Sequence, residues 1–223
     1  MPTADPQASF AQRLHALITS PRAITDLQRY FGIGVSPGAV PFTGSRFEDL
    51  AGGGDHPLVA DVVTAADLIA VQTLSVTVPV PVALDLLEGP LGPRLSGLLQ
   101  EIPSDLDMAD ADTAHLESDS PASRAWDLLV GQHGVGWVIA GKLLARKRPR
   151  LLPVYDDVVR CTLGHPPDFW LPLHAALRAQ EGASQRALVG LRQAAGLSDS
   201  VSALRVCDVV VWMQHRTGHR NCP

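Results

Sequence analysis

The chain has 223 residues, which is enough for one large domain or two small ones. Hydrophobic residues make up 46% of it and aromatic residues only 5%, a mixture that excludes a wholly disordered chain and favours helices over sheets. The net charge of −5 argues against a protein that binds nucleic acids through its overall charge.

The N-terminal segment, residues 1–103, predicts a helical subdomain. Apolar residues at helical spacing predict a helix near 7–19, and "AITDLQRYFG" predicts a second helix that ends at Gly32. Farther along, "TAADLIAVQTLSV" begins with a capping-box pattern and predicts a buried helix, followed by two short helices.

A stretch dense in Gly and Pro, residues 32–57, interrupts this subdomain and predicts a long loop. Loops of this length in compact domains are functional or mobile. Its side chains Phe42, Thr43 and Phe47 are candidates for one wall of a ligand pocket.

The next segment, residues 104–122, is acidic and bounded by prolines. Residues 95–123 hold seven carboxylates and no Lys or Arg. The pattern lacks the glycine and the final glutamate of a calcium-binding loop. It therefore predicts a solvated linker without a metal between two helical subdomains.

Residues 123–223 predict a second helical subdomain of six helices, with Ser123, Ser184 and Ser200 as N-caps. Together the segments predict an all-α fold of about ten helices. The tail places His215, His219 and Cys222 at a spacing that suits zinc, but no fourth ligand is evident, so no metal and no cofactor are predicted.

The expected location is the cytoplasm. No apolar run reaches 18 residues, and "MPTADPQASF" has neither a basic region nor an apolar core of a signal peptide. Three widely spaced cysteines fit a reducing compartment. We therefore expect no membrane partner.

One motif carries a more specific prediction: "HGVGWVIAGKLLARKRPRLLPVYDD", residues 133–157. A predicted helix ends near Gln132, and Gly134, Val135 and Gly136 turn the chain into the next helix. Glycines allow a sharp turn and a close approach to another surface, and a helix N-terminus attracts anions. Residues 128–155 carry five basic side chains and no acidic ones: Lys142, Arg146, Lys147, Arg148 and Arg150.

The spacing from Leu129 through Gly134, Val135 and Gly136 to Ala140 resembles the helix-hairpin-helix DNA-binding motif. Residues 123–160 as a whole resemble the helix-hairpin-helix DNA glycosylase superfamily, in which a catalytic aspartate follows the hairpin, often after Pro-Val. The whole chain is also similar to a bacterial domain-of-unknown-function family, a resemblance that implies no activity.

The glycosylase resemblance implies DNA binding by hairpin and basic residues, and monofunctional hydrolysis of an N-glycosidic bond on a flipped base. Asp156 and Asp157 lie sixteen and seventeen residues after Ala140 and are both candidates for the catalytic carboxylate. The base pocket would be lined by Tyr155, Trp137 and Trp170. Tyr155 departs from the pattern by following Pro153-Val154, and Val138 stands where lyase-active members carry lysine.

Structural alternatives remain for each feature. The glycines also suit an ordinary turn between helices, the basic residues a solvated helix end, and the aspartates helix caps. The alternative function is a non-enzymatic helical module that binds a protein or a small molecule.

Overall fold

The computed structural model describes residues 9–34, 40–166 and 168–218. The regular secondary structure in these ranges is helical, as the sequence predicts. The α-helices described are α1 (Phe10–Ile18), α2 (Ala23–Phe31), α3 (Ala65–Thr73), α4 (Val80–Leu87), α5 (Leu91–Gln100), α6 (Pro121–Val130), α7 (Trp137–Lys147), α8 (Asp157–Thr162), α9 (Trp170–Ala194) and α10 (Ala203–His215). Short 3-10 helices lie at Thr43–Arg46, Leu50–Gly52 and Thr113–His115.

The contacts divide the chain into two compact units. Unit 1 combines the two ends, Met1–Pro41 and Tyr155–Pro223, and unit 2 is the continuous middle, Phe42–Val154. The three sequence segments 1–103, 104–122 and 123–223 follow the chain linearly and differ from this division. The difference arises because the first two helices pack against the last helices of the chain.

Unit 1 is built around α10, which contacts α1, α2, α8 and α9. Its residues from 203 to 211 are all buried, because helices cover it on several sides. The core of the unit is partly polar. The guanidinium of Arg205 pairs with Asp208 and donates a 2.7 Å hydrogen bond to the hydroxyl of Tyr30, and thereby ties α10 to α2.

Helix α9 is not continuous. The backbone leaves helical geometry at Ala179, Gln180, Glu181 and Gly182, and the last three have positive φ. The break separates two helical stretches, so α9 does not act as one rigid rod of 25 residues.

Unit 2 is a succession of neighbouring helices in which α4 contacts α5, α5 contacts α6, α6 contacts α7 and α7 contacts α3. Contact between α6 and α7 is close: a Cβ on Gly141 would lie 3.1 Å from the ring of Trp126. The glycine therefore brings the two helices of the predicted hairpin together.

The acidic segment 104–122 packs into unit 2, which contradicts the expectation of a solvated linker. Met108, Ala111 and Leu116 are buried, and the backbone N–H of Met108 donates a 2.9 Å hydrogen bond to the carbonyl oxygen of Arg150. The charged side chains point outward between these apolar anchors. The spacing of three apolar residues among many carboxylates is too sparse to predict such packing from periodicity.

Candidate nucleic-acid interface

The residues of the predicted hairpin lie in α6, in a turn at residues 131–136 and in α7. Gly134 has a φ of 80°, which favours glycine, and a Cβ there would lie 3.0 Å from Cγ of Pro79. Val135 is buried and anchors the turn from within, while its N–H donates to the carbonyl oxygen of Gln132 at 3.0 Å. The flanking Gly131, His133, Gly134 and Gly136 are exposed.

Gly136 is the N-cap of α7 and differs from Gly134 in its constraint. Its backbone is extended (φ −86°, ψ 172°), which any residue adopts, and a Cβ would meet no atom within 4 Å. A glycine has no side chain with which to cap the amides of the first helical turn. The N-terminus of α7 thus has a small, open surface at its cap residue.

The basic residues after the hairpin do not lie where the sequence predicts. Lys142, Arg146, Lys147 and Arg148 are buried in unit 2, so they cannot contact a DNA phosphate in this conformation. Lys142 donates to the carbonyl oxygen of Leu74 at 2.9 Å. The prediction of a phosphate-binding basic cluster is therefore corrected for these four residues.

Asp67 of α3 is the anion at the centre of this cluster. One carboxylate oxygen accepts from Nε of Arg146 at 3.0 Å, and the other accepts from Nζ of Lys147 at 3.0 Å. Asp67 also accepts from the N–H of Thr64, completing the predicted capping box. One buried carboxylate thus caps α3 and compensates two buried cations of α7.

The remaining donors of these cations bind backbone carbonyl oxygens of the segment 47–62. Arg146 donates to Phe47, Glu48 and Leu50, and Lys147 donates to Val59 and Val62 at 2.8 and 2.9 Å. Burial lowers the pKa of Lys147, and the adjacent Asp67 opposes that change. A lysine with three acceptors and no solvent contact is a structural cation.

Arg148 and Arg150 differ in exposure. Arg148 is buried and donates to the carbonyl oxygens of Ile102, Ala60 and Leu99, and pairs at 2.5 Å with Asp61. Arg150 is exposed and pairs with Asp107 at 2.7 Å. Of the five basic residues predicted to contact phosphates, only Arg150 is exposed to solvent.

The part of the loop 32–57 that lies in unit 2, from Phe42 onward, belongs to this arrangement; residues 35–39 lie outside the described ranges. Phe47 is buried, and the hydroxyl of Thr43 donates to the carbonyl oxygen of Thr73 at 2.9 Å. A Cβ on Gly54 would lie 2.7 Å from Cγ of Arg146, and nearer still to its carbonyl oxygen. The part of the loop from Phe42 to Gly54 is thus fastened to α3 and α7, and the buried Phe47 is not exposed to line a ligand pocket.

The candidate catalytic carboxylates lie at the start of α8 in unit 1. Asp156 is the N-cap, and its Oδ1 accepts from the N–H groups of Val158 and Val159, both at 3.1 Å. Asp157 follows in the first turn with an exposed side chain. The structural role expected of one aspartate therefore falls on Asp156, and Asp157 is the more accessible carboxylate.

The candidate base-pocket residues are in different environments. Tyr155 is buried, and its ring stacks on Phe169 with centroids 3.8 Å apart and an interplanar angle of 10°. Burial raises the pKa of its hydroxyl to about 12. Because Phe169 covers one face of the ring, that face is not a platform for a base. Trp137 and Trp170 are half-buried at the first positions of α7 and α9.

No group of three or more His, Cys, Asp or Glu side chains in the described ranges is placed to hold a metal ion. His219 and Cys222 of the predicted H-x3-H-x2-C pattern lie outside those ranges. Among the same described residues, no helix has the length and apolar character needed to cross a membrane.

The chain matches one family of known sequences. Residues 23–215 match the family of unknown function DUF6308, and the chain belongs to this family. The match spans helices of both units, from the start of α2 to the end of α10. No curated protein and no solved structure matches the chain.

Proposed function

We propose that this protein binds the sugar-phosphate backbone of DNA through the hairpin at residues 131–136. The observation that carries the proposal is the N-cap of α7: an exposed glycine with open space around it, at a helix N-terminus without a side-chain cap. Amides at such an end attract phosphate oxygens, and a glycine lets the backbone approach closely. The cytoplasmic location expected from the sequence accords with this partner.

The burial of the basic cluster changes the kind of binding that we expect. Unit 2 has eight Lys or Arg and fifteen Asp or Glu, and four of those cations are buried. Few counterions are therefore released on binding, and affinity should fall only weakly with salt. Contacts of this kind position a protein on a backbone without reading its sequence.

The test is Gly136→Ser. Serine suits an N-cap in extended conformation, and its hydroxyl would accept from the first-turn amides that the phosphate needs. We expect unchanged or higher thermal stability together with weaker binding of a labelled duplex, measured by fluorescence anisotropy at low salt. Gly190→Ser is the matched control, since Gly190 is also exposed with open space around it.

Two results would contradict the proposal. The first is the absence of binding by the wild-type protein to intact, mismatched or damaged duplexes. The second is a Gly136→Ser variant that keeps wild-type affinity. A loss of affinity in the Gly190→Ser control would instead indicate a general effect of replacing an exposed glycine.

The finer proposal is hydrolysis of an N-glycosidic bond, with Asp156 or Asp157 stabilising the positive charge that develops on the sugar. Asp156→Asn is an informative variant, because asparagine caps a helix as well as aspartate does but carries no charge. Abasic-site formation should vanish in either Asp156→Asn or Asp157→Asn, with both variants folded. Activity that survives in both variants would exclude these carboxylates from catalysis.

A second candidate function, binding of a protein partner, is favoured by one face of α4. Val80, Leu84 and Leu87 are 68%, 52% and 40% exposed, and their spacing places them on one side of the helix. Single exposed apolar residues are ordinary, but a stripe of three is a common mark of association. Replacing Leu84 with lysine would prevent such association without changing the buried face of α4, and would leave DNA affinity unchanged.

A further inference from the structure

A groove between α5 and α6 lies beside the hairpin. It has a volume of about 490 Å³ and is lined by Arg94, Leu98, Arg124, Asp127 and Leu128. The lining residues fall at helical spacing, so one face of each helix forms each wall. The two helices run antiparallel: Arg124 near the start of α6 pairs with Glu101 just after the end of α5, at 2.5 Å, and Arg94 near the start of α5 lines the same groove as Leu128 near the end of α6.

The groove-lining face of α6 runs toward the hairpin. On α6, Arg124, Leu128 and Gly131 are spaced four and three residues apart, so Gly131 continues the groove wall at the point where the turn begins. The seven residues from Arg124 to Gly131 correspond to about 10 Å along the helix. This is the axial rise of about three nucleotides of one DNA strand.

The groove also holds much of the accessible positive charge of unit 2. Lys142, Arg146, Lys147 and Arg148 are buried, and Arg150 is paired with Asp107. Of the other three cations of the unit, Arg94 and Arg124 line the groove, and Arg46 lies outside its lining.

The two arginines are not equivalent. The half-exposed side chain of Arg124 already pairs with Glu101, at the end of the groove where the acidic segment begins. Arg94 is exposed, and no ion pair or hydrogen bond of its side chain occurs in the described part of the chain. Arg94 also lies toward the hairpin end, because α5 and α6 are antiparallel.

We propose that the α5–α6 groove is a second contact for the DNA strand that the hairpin holds, with Arg94 as its main phosphate-binding residue. This inference rests on the proposed function. The strand leaves the amides of α7, follows Gly131 into the groove and places a phosphate at Arg94. The apolar side chains Leu98 and Leu128 face the sugars, and Asp127 opposes binding by repelling the strand.

The experiment compares Arg94→Gln, Asp127→Asn and Arg46→Gln in anisotropy titrations from about 50 to 200 mM salt. Loss of one phosphate contact lowers the salt slope by about 0.9. The affinity lost in Arg94→Gln should therefore be about threefold larger at the low end of this range than at the high end. Asp127→Asn should raise affinity, and Arg46→Gln, which removes the same charge outside the groove, should leave the slope unchanged.

The outcomes separate this inference from the function on which it rests. If Gly136→Ser weakens binding while Arg94→Gln behaves as Arg46→Gln does, the hairpin binds DNA and the groove proposal is overturned. If the wild-type protein binds no duplex, both proposals are overturned. Opposite changes in Arg94→Gln and Asp127→Asn, with folded variants by circular dichroism, support the groove as the strand path.

Discussion

Asp67 holds an unusual position among the residues of unit 2, because it faces two buried cations and has almost no contact with solvent. Removing one partner of a buried ion pair leaves an uncompensated charge, which typically costs about 3–5 kcal/mol. We expect Asp67→Asn to lower the free energy of unfolding by about this amount, since Arg146 and Lys147 both lose their carboxylate. Urea denaturation followed by circular dichroism measures the change.

The matched control is Asp61→Asn. Asp61 pairs with the buried Arg148, but its own side chain is 41% exposed, and Arg148 keeps its carbonyl acceptors. The loss should therefore be smaller than for Asp67→Asn. Equal losses in the two variants would show that the buried position of Asp67 has no special energetic role.

Asp26 of α2 gives a prediction about pH. Burial raises the pKa of its carboxyl above 3.8, while Arg22, Arg29 and Arg216 oppose this change, and its Oδ2 accepts no hydrogen bond in the described part of the chain. A raised pKa means that the folded state favours the protonated form. Its contribution to stability is thus full below the unfolded pKa and is lost as the pH rises through the folded pKa.

We expect Asp26→Asn to reduce that loss, because an amide does not ionise. The free energy of unfolding should fall less between about pH 4 and 7 in the variant than in the wild type. Asp49→Asn, which makes the same replacement at an exposed position, is the control for the substitution itself. Parallel profiles for the wild type and Asp26→Asn would show that Asp26 does not titrate abnormally.

At the residue level, the sequence predicts the charge of a side chain better than its burial. The sequence shows that Arg146 and Lys147 are charged, but their burial depends on Asp67, some eighty residues away. No local pattern joins positions so far apart. The capping box of Thr64 and Asp67, by contrast, is local and is confirmed.

Among the elements, the segment that contains Gly54 is the clearest case in which close packing requires a particular residue type. A side chain at Gly54 would press on the backbone and side chain of Arg146. We expect Gly54→Ala to destabilise the protein by about 1–3 kcal/mol, the usual cost of overpacking. Gly97→Ala is the control: Gly97 lies within α5 with open space around it, and alanine there should stabilise by about 0.5–1 kcal/mol. Thermal unfolding of both variants decides the matter, and equal midpoints would contradict the packing argument.

Helices are predicted well as elements and less well at their ends. The sequence predicts Ser123 and Ser200 as N-caps, but the caps are Ser120 and Ser202, three and two residues away. In α6 the reason is Pro121, whose fixed φ suits the first turn and moves the start of the helix earlier. Ser184 lies within the range of α9, near the start of the helical stretch that follows the break at residues 179–182.

For the molecule as a whole, the division into units predicts which parts of the chain fold alone. All described partners of the buried cations of α7 lie within residues 42–154. A fragment of these residues should therefore be helical and should unfold cooperatively in circular dichroism. Residues 155–223 should not do so alone, because α1 and α2 pack against α9 and α10. A cooperative transition in the shorter fragment would contradict this division.

The all-α class and the approximate number of helices follow from composition and periodicity, because each helix carries its own apolar stripe. The pairing of the two chain ends does not follow. The bond between Arg205 and Tyr30 joins residues 175 positions apart, and nothing near either residue marks the other. The hairpin is the part of the candidate site that a short pattern predicts, whereas the α5–α6 groove depends on two helices joined by twenty residues.

Arg146 donates its hydrogen bonds to backbone carbonyl oxygens, and this affects which positions of the sequence can vary within the family. Carbonyl groups are present whatever side chains a segment carries, so the identities of Phe47, Glu48 and Leu50 are not what the guanidinium recognises. Exchanges at exposed Asp49 should be tolerated among relatives, while Arg146 and Gly54 should resist exchange. Variation at the exposed positions of this loop would then be a poor guide to its structural importance, since its contacts with Arg146 are made by the backbone.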